Sequence, residues 1–114
     1  MKTRTALLIA AGLLAGSFSV HANTVGSELV KRFHCMGCHA VDKAAIGPSF
    51  QQIGASWRGK PGAEQALSAV IRRGSAATGG PHWGQVKMPD DSEREQISER
   101  QARRIARWIL RQQP

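Results

Sequence analysis

The pentapeptide Cys35-Met36-Gly37-Cys38-His39 carries the strongest structural signal in this chain. Two thiols three residues apart on a helical turn point in the same direction, and the next residue adds an imidazole beside them. Both thiols can therefore add to the two vinyl groups of one porphyrin, while His39 offers a nitrogen to its iron. The C-x-x-C-H spacing predicts one covalently bound haem c as the cofactor.

Two other kinds of protein site also use a Cys-x-x-Cys pair. A redox dithiol is disfavoured, because no alternation of strands and helices surrounds Cys35 and Cys38. A zinc site completed by His34, His39 or His82 is disfavoured as well, because zinc sites usually contain a second paired cluster. The chain has only these two cysteines, which excludes a disulfide framework.

A haem iron bound on both faces needs a second axial ligand, and Met88 is the preferred candidate. Met36 lies inside the attachment motif and cannot reach the opposite haem face. Met88 stands outside any apolar stripe and is followed by Pro89, which stiffens the backbone next to it. His82 is the rival ligand, although a surface position is the commoner outcome for a histidine in a Gly-rich segment.

The N-terminal segment, residues 1–22, is interpreted as a secretory signal peptide. It has a basic start, an uncharged apolar stretch over residues 6–16 and small or modest residues at 20–22, where cleavage is expected. The apolar stretch is shorter than the about 20 residues that span a bilayer, so we expect no stable membrane insertion after cleavage. An uncleaved tether is the alternative. Residues 23–114 form the predicted domain, and the predicted location is the periplasm.

The size of the predicted domain favours a bulky cofactor, and its charge indicates the kind of partner surface that it binds. A domain of this size has a thin core, which a bulky apolar cofactor would complete. The formal charge is +8, or +6 without Lys2 and Arg4. This charge favours acidic protein surfaces or anionic lipid, and an exported chain is not expected to bind nucleic acid.

The apolar periodicity predicts helices and no strand. The first predicted helix covers residues 27–35, and the second follows Gly47-Pro48. The third covers residues 63–73 and stops at Gly74. The last begins at a capping box formed by Ser98 and Gln101. A Gly/Pro-rich loop over residues 75–89 separates the third helix from the last.

The order of the landmarks resembles the small class I bacterial cytochromes c. These landmarks are the Cys35–His39 motif, Gly47-Pro48, Trp83-Gly84, Met88-Pro89 and the Ala-Arg-Trp-Ile-Leu segment at residues 106–110. The resemblance covers residues 25–112. It implies an all-α class I cytochrome c fold, with about four helices wrapped round one covalently bound haem c and with crossing terminal helices.

The resemblance also implies roles for single residues. His39 and Met88 would be the iron ligands, and the carbonyl of Pro48 would accept a hydrogen bond from the His39 ring. Trp83 would lie near a haem propionate, and Trp108 would pack at the helix crossing.

The chain departs from the pattern in the loop at residues 76–82 and in the segment after Met88, residues 90–99, both of which are longer. Val70 also stands where related chains have a propionate-binding arginine.

These expectations predict an electron-transfer protein that shuttles single electrons in the periplasm and is not an enzyme. Its partners would be redox proteins, namely a periplasmic dehydrogenase, a cytochrome complex or a terminal oxidase. One alternative is a haem c subunit tightly bound to a periplasmic dehydrogenase. Another is a gas sensor in which a ligand displaces Met88.

Overall fold

The computed structural model describes residues 18–78, with side chains from residue 23, and residues 86–114. The described residues form four α-helices and one 3-10 turn: α1 (Phe18–Arg32), the 3-10 turn (Cys35–Gly37), α2 (Phe50–Trp57), α3 (Ala63–Thr78) and α4 (Glu99–Leu110). This architecture confirms the all-α prediction. None of the described helices combines the length and the apolar character needed to cross a membrane.

Helix α4 is the centre of the packing, because α1, α2 and α3 all contact it. The predicted capping box is present at its start: the Ser98 hydroxyl accepts from the Gln101 backbone N–H, and the Gln101 side chain accepts from the Ser98 backbone N–H. Its apolar face is buried, and the residues on that face are Ala102, Ile105, Ala106, Trp108 and Ile109. The sequence prediction for this helix is therefore confirmed.

The terminal helices α1 and α4 cross at Gly26 and Trp108. A Cβ atom added to Gly26 would lie 2.4 Å from Cβ of Trp108, so only glycine permits this close approach. The implied position of Trp108 at the crossing is confirmed.

The predicted first helix was wrong at both ends. It was expected over residues 27–35, but α1 begins at Phe18 and ends at Arg32. Gly26, which precedes the predicted start, lies inside the helix and packs against Trp108. At the other end, His34 adopts a left-handed conformation with φ of 54°, which turns the chain into the Cys35–Gly37 turn. The expected cleavage point after residue 22 falls within α1, and the signal peptide stays a prediction.

Two features position the ends of α2 and α3. Ser49 caps α2 through a capping box with Gln52, so Pro48 lies immediately before the cap. In α3, Gly74 has φ of 74° and ψ of 172°, which breaks the helix where the sequence predicted its end. Residues 75–78 then form one further helical turn, so the predicted loop over residues 75–89 starts later than expected.

Candidate haem-binding site

The Cys35–Gly37 turn brings the two thiols to one side of the chain. The carbonyl oxygen of Cys35 accepts hydrogen bonds from the backbone N–H of Cys38, at 3.2 Å, and of His39, at 3.0 Å. Both thiols are free, and both side chains line the same cavity. The turn therefore presents two nucleophilic sulfur atoms and an imidazole to one volume.

Burial affects the ionisation of Cys35, the first of the two thiols. It raises the pKa of the Cys35 thiol, while the positive charge of Arg94 acts in the opposite direction. Burial in the cavity wall therefore favours the neutral form of this thiol.

The imidazole of His39 has a fixed tautomer. Its Nδ1 lies 2.7 Å from the carbonyl oxygen of Pro48, and a carbonyl can only accept a hydrogen bond. Nδ1 therefore carries the proton, and the lone pair of Nε2 is left for a metal ion. The hydrogen bond implied by the resemblance is present.

Gly47 and Phe50 hold the His39 ring from two further sides, and the sequence analysis did not assign either of them to the site. A Cβ atom on Gly47 would lie 2.8 Å from Cε1 of His39, so a side chain at this position would displace the ring. The Phe50 ring stacks on the imidazole with centroids 5.3 Å apart, and its edge meets Trp108 at 5.0 Å. The imidazole is thereby connected to the buried core.

Met88 is held by two residues at the break in α3. The backbone N–H of Met88 donates to Oγ of Ser75 at 3.0 Å, and the N–H of Ser75 donates to the Met88 carbonyl at 3.3 Å. A Cβ atom on Gly74 would lie 2.6 Å from that same carbonyl. The sequence predicted only a helix stop at Gly74 and no role for Ser75, because nothing local to either residue indicates that residue 88 packs on them.

A cavity of about 350 Å³ joins the two sides of the site. Cys35, Cys38, His39 and Met88 all line it, and Pro48 lies beside His39. The rest of the wall is mainly apolar and includes Phe33, Phe50, Leu67, Ile71, Ile97 and Ile105. Val70 also lines the cavity, so α3 brings no charge at that position.

Most of the predicted site is therefore brought together in one place. Trp83, the expected propionate neighbour, and His82, the rival ligand, lie outside the described residues. The remaining donor set combines two thiols for covalent attachment with an imidazole and a thioether, inside an apolar wall. This set fits haem c, whose flat apolar ring needs a dry cavity and whose iron accepts nitrogen and sulfur ligands.

Comparison with known proteins agrees with this chemistry. Residues 24–113 match the sequence profile of the family described as Cytochrome c. The chain belongs to the cytochrome c family.

Several relatives match this cytochrome c over about three quarters of its length. It is 38% identical over 85 residues to cytochrome c-551 of Azotobacter vinelandii, covering 75% of this chain and 94% of that protein. It is 33% identical to cytochrome c-551 of Pseudomonas aeruginosa over 84 residues, covering 74% of this chain and 73% of the relative. The crystal structure of Nitrosomonas europaea cytochrome c552 superposes with a TM-score of 0.65 at 31% identity, covering 76% of this chain and 99% of that one.

Family membership confirms the class I cytochrome c fold and a single covalently attached haem c as the cofactor. Electron transfer is the general function of this cytochrome c.

Proposed function

We propose that this cytochrome c shuttles single electrons in the bacterial periplasm, with its haem attached through Cys35 and Cys38 and ligated by His39 and Met88. The observation that carries the proposal is the shared cavity, which both thiols, the imidazole and the thioether line. When bound, haem c supplies a one-electron couple between Fe(III) and Fe(II).

His39 would supply one ligand to the haem iron. Because Nδ1 donates to the Pro48 carbonyl, the ring presents the lone pair of Nε2 to a metal ion. The stacked Phe50 ring and the close Gly47 backbone leave the imidazole little freedom to rotate. A fixed ligand keeps the rearrangement on electron transfer small, which suits a carrier.

Met88 would supply the second ligand to the haem iron. A thioether is a soft ligand that favours Fe(II), and a methionine opposite a histidine therefore raises the reduction potential. With both ligands supplied by the chain, no coordination site would be left for a substrate or for oxygen. We accordingly propose a carrier without enzymatic turnover of its own.

We infer the location and the partners from the N-terminal segment and the charge of the sequence. We propose that residues 1–22 direct export, that the mature chain occupies residues 23–114, and that Trp83 borders a haem propionate. The positive charge of the chain favours an acidic docking surface on a periplasmic dehydrogenase, a cytochrome complex or a terminal oxidase.

The test is an absorption spectrum of the purified holoprotein in both oxidation states. We expect the bands of haem c, together with a weak near-infrared charge-transfer band in the oxidised form that reports sulfur ligation. Met88→Ala should abolish that band and lower the reduction potential. Met36→Ala is the matched control, because the Met36 side chain is exposed and does not line the cavity. Persistence of the band in Met88→Ala would exclude Met88 as the ligand.

Two further measurements separate the alternative functions. Carbon monoxide added to the reduced protein should leave the spectrum almost unchanged, whereas a gas sensor would respond at once. A free carrier should purify alone, whereas a tightly held subunit would co-purify with a larger dehydrogenase.

A further inference from the structure

Arg94 reaches the haem cavity from the segment between Met88 and α4. Its side chain lines the cavity together with Met88 and Pro89. The Nε atom donates to the carbonyl of Pro89 at 3.3 Å, and Nη2 donates to the carbonyl of Ile71 in α3. One guanidinium thus bridges the peptide that follows Met88 and the helix that faces it.

No carboxylate of the described residues forms an ion pair with Arg94, although, together with hydrogen bonds from Ser92, its charge helps to lower the pKa of the exposed Asp90 carboxyl. Lys87, which also lines the cavity, does form an ion pair, with Glu93 at 3.1 Å. No aspartate or glutamate is among the described residues that line the cavity. A full positive charge therefore faces an apolar volume, where electrostatic interactions are screened less than in water.

We propose that Arg94 is a positioning residue for Met88 and an electrostatic determinant of the reduction potential, an inference that rests on the proposed function. The planar guanidinium can hold two carbonyl oxygens at once, which an ammonium group on a flexible stem does less well. The two hydrogen bonds connect the Met88 loop to α3 and oppose displacement of the thioether. The positive charge favours the reduced site, because reduction removes one positive charge from the iron.

Three variants of the holoprotein separate the two roles. Arg94→Gln removes both the charge and the planar guanidinium. Arg94→Lys keeps the charge but removes the planar guanidinium. Arg104→Gln removes the same charge from an exposed position on α4 and serves as the control. The measurements are the reduction potential, the near-infrared sulfur band and the affinity of the oxidised protein for imidazole, which competes with Met88.

We expect Arg94→Gln to lower the potential and to strengthen imidazole binding by roughly tenfold, as the loss of buried hydrogen bonds predicts. Arg94→Lys should keep a potential near that of the wild type and still bind imidazole more tightly. Arg104→Gln should change neither quantity appreciably, because an exposed charge is screened by solvent.

The outcomes distinguish this inference from the proposed function. If the wild-type protein shows the sulfur band and Arg94→Gln matches Arg104→Gln in potential and imidazole affinity, only the role of Arg94 is refuted. If the wild-type protein lacks the band, ligation by Met88 is wrong and the inference about Arg94 is overturned with it. Should Arg94→Gln fail to fold, imidazole affinity in Arg94→Lys decides the positioning role.

Discussion

The two sides of the haem cavity are built in different ways. On the His39 side, the ring is held by Pro48, nine residues away along the chain, and by Gly47 and Phe50 next to it. On the Met88 side, the contacts join residues far apart in sequence: Ser75 is 13 residues from Met88, and Ile71 is 23 residues from Arg94. The His39 side is therefore built from contacts between residues close in sequence, and the Met88 side from contacts between residues far apart in sequence.

This difference determines how each ligand responds to a substitution. The imidazole is carried by a turn whose own hydrogen bonds fix it, so few distant changes should release it. The thioether depends on the correct approach of α3 and of the segment that holds Arg94. We therefore expect the Met88 side to be the first to open when the protein is perturbed.

The largest expected effect is on the Met88 side, from Gly74→Ala. Gly74 has a φ and ψ combination that is essentially restricted to glycine, and the added Cβ would meet the Met88 carbonyl at 2.6 Å. Strain and overlap together should cost about 3 kcal/mol of the free energy of unfolding. The sulfur band should weaken or disappear as the Met88 loop moves. Denaturant unfolding and the near-infrared spectrum are the measurements.

Gly59→Ala is the matched control for that variant. Gly59 has a similar φ of 79°, but an added Cβ would meet nothing within 4 Å. Gly59→Ala should lower the free energy of unfolding by about 1 kcal/mol and leave the sulfur band intact. Equal losses of stability in the two variants would contradict a special contact between Gly74 and Met88.

Gly47→Ala perturbs the His39 side in the same manner. The added Cβ would lie 2.8 Å from Cε1 of His39, and we expect a loss of about 2 kcal/mol in the free energy of unfolding. Gly37→Ala, inside the attachment motif but with open space around it, should be nearly neutral. The sulfur band should survive in both variants, because neither contacts the Met88 loop. Loss of the band in Gly47→Ala would show that the two sides are coupled.

The same contrast explains how much could be read from the sequence. The attachment motif, the capping box at Ser98 and the stop at Gly74 are local signals, and the structure contains all three. Met88 stood out by its isolation from any apolar stripe. Its partners could not be predicted, because no local pattern shows that Ser75 or Arg94 approaches residue 88. The tight packing of Gly26 could not be predicted either, since its partner Trp108 lies across the helix crossing.

A smaller effect is expected when a hydroxyl is removed from each side. Ser75→Ala leaves the Met88 N–H without its side-chain acceptor, and Ser49→Ala removes the cap of α2 on the His39 side. Each should cost about 1 kcal/mol of the free energy of unfolding. Only Ser75→Ala should also increase imidazole binding to the oxidised protein. If Ser49→Ala increased it equally, general loosening rather than the contact between Ser75 and Met88 would be the cause.

The smallest effect tests whether the helices behind the Met88 side matter as well as its direct contacts. Glu64 of α3 pairs with Arg107 of α4 at 2.9 Å, and the hydrogen bond from Arg107 lowers the pKa of that carboxyl. A lowered pKa stabilises the fold above the unfolded-state value near 4.5, and this contribution is lost as the pH falls through the folded-state value. Because the pair is partly exposed, Glu64→Gln should cost only about 0.5 kcal/mol at neutral pH. The difference from the wild type should vanish in acid, as denaturant unfolding between pH 7 and pH 3 would measure. A difference that is independent of pH would assign the effect to packing between α3 and α4 and not to the charge of Glu64.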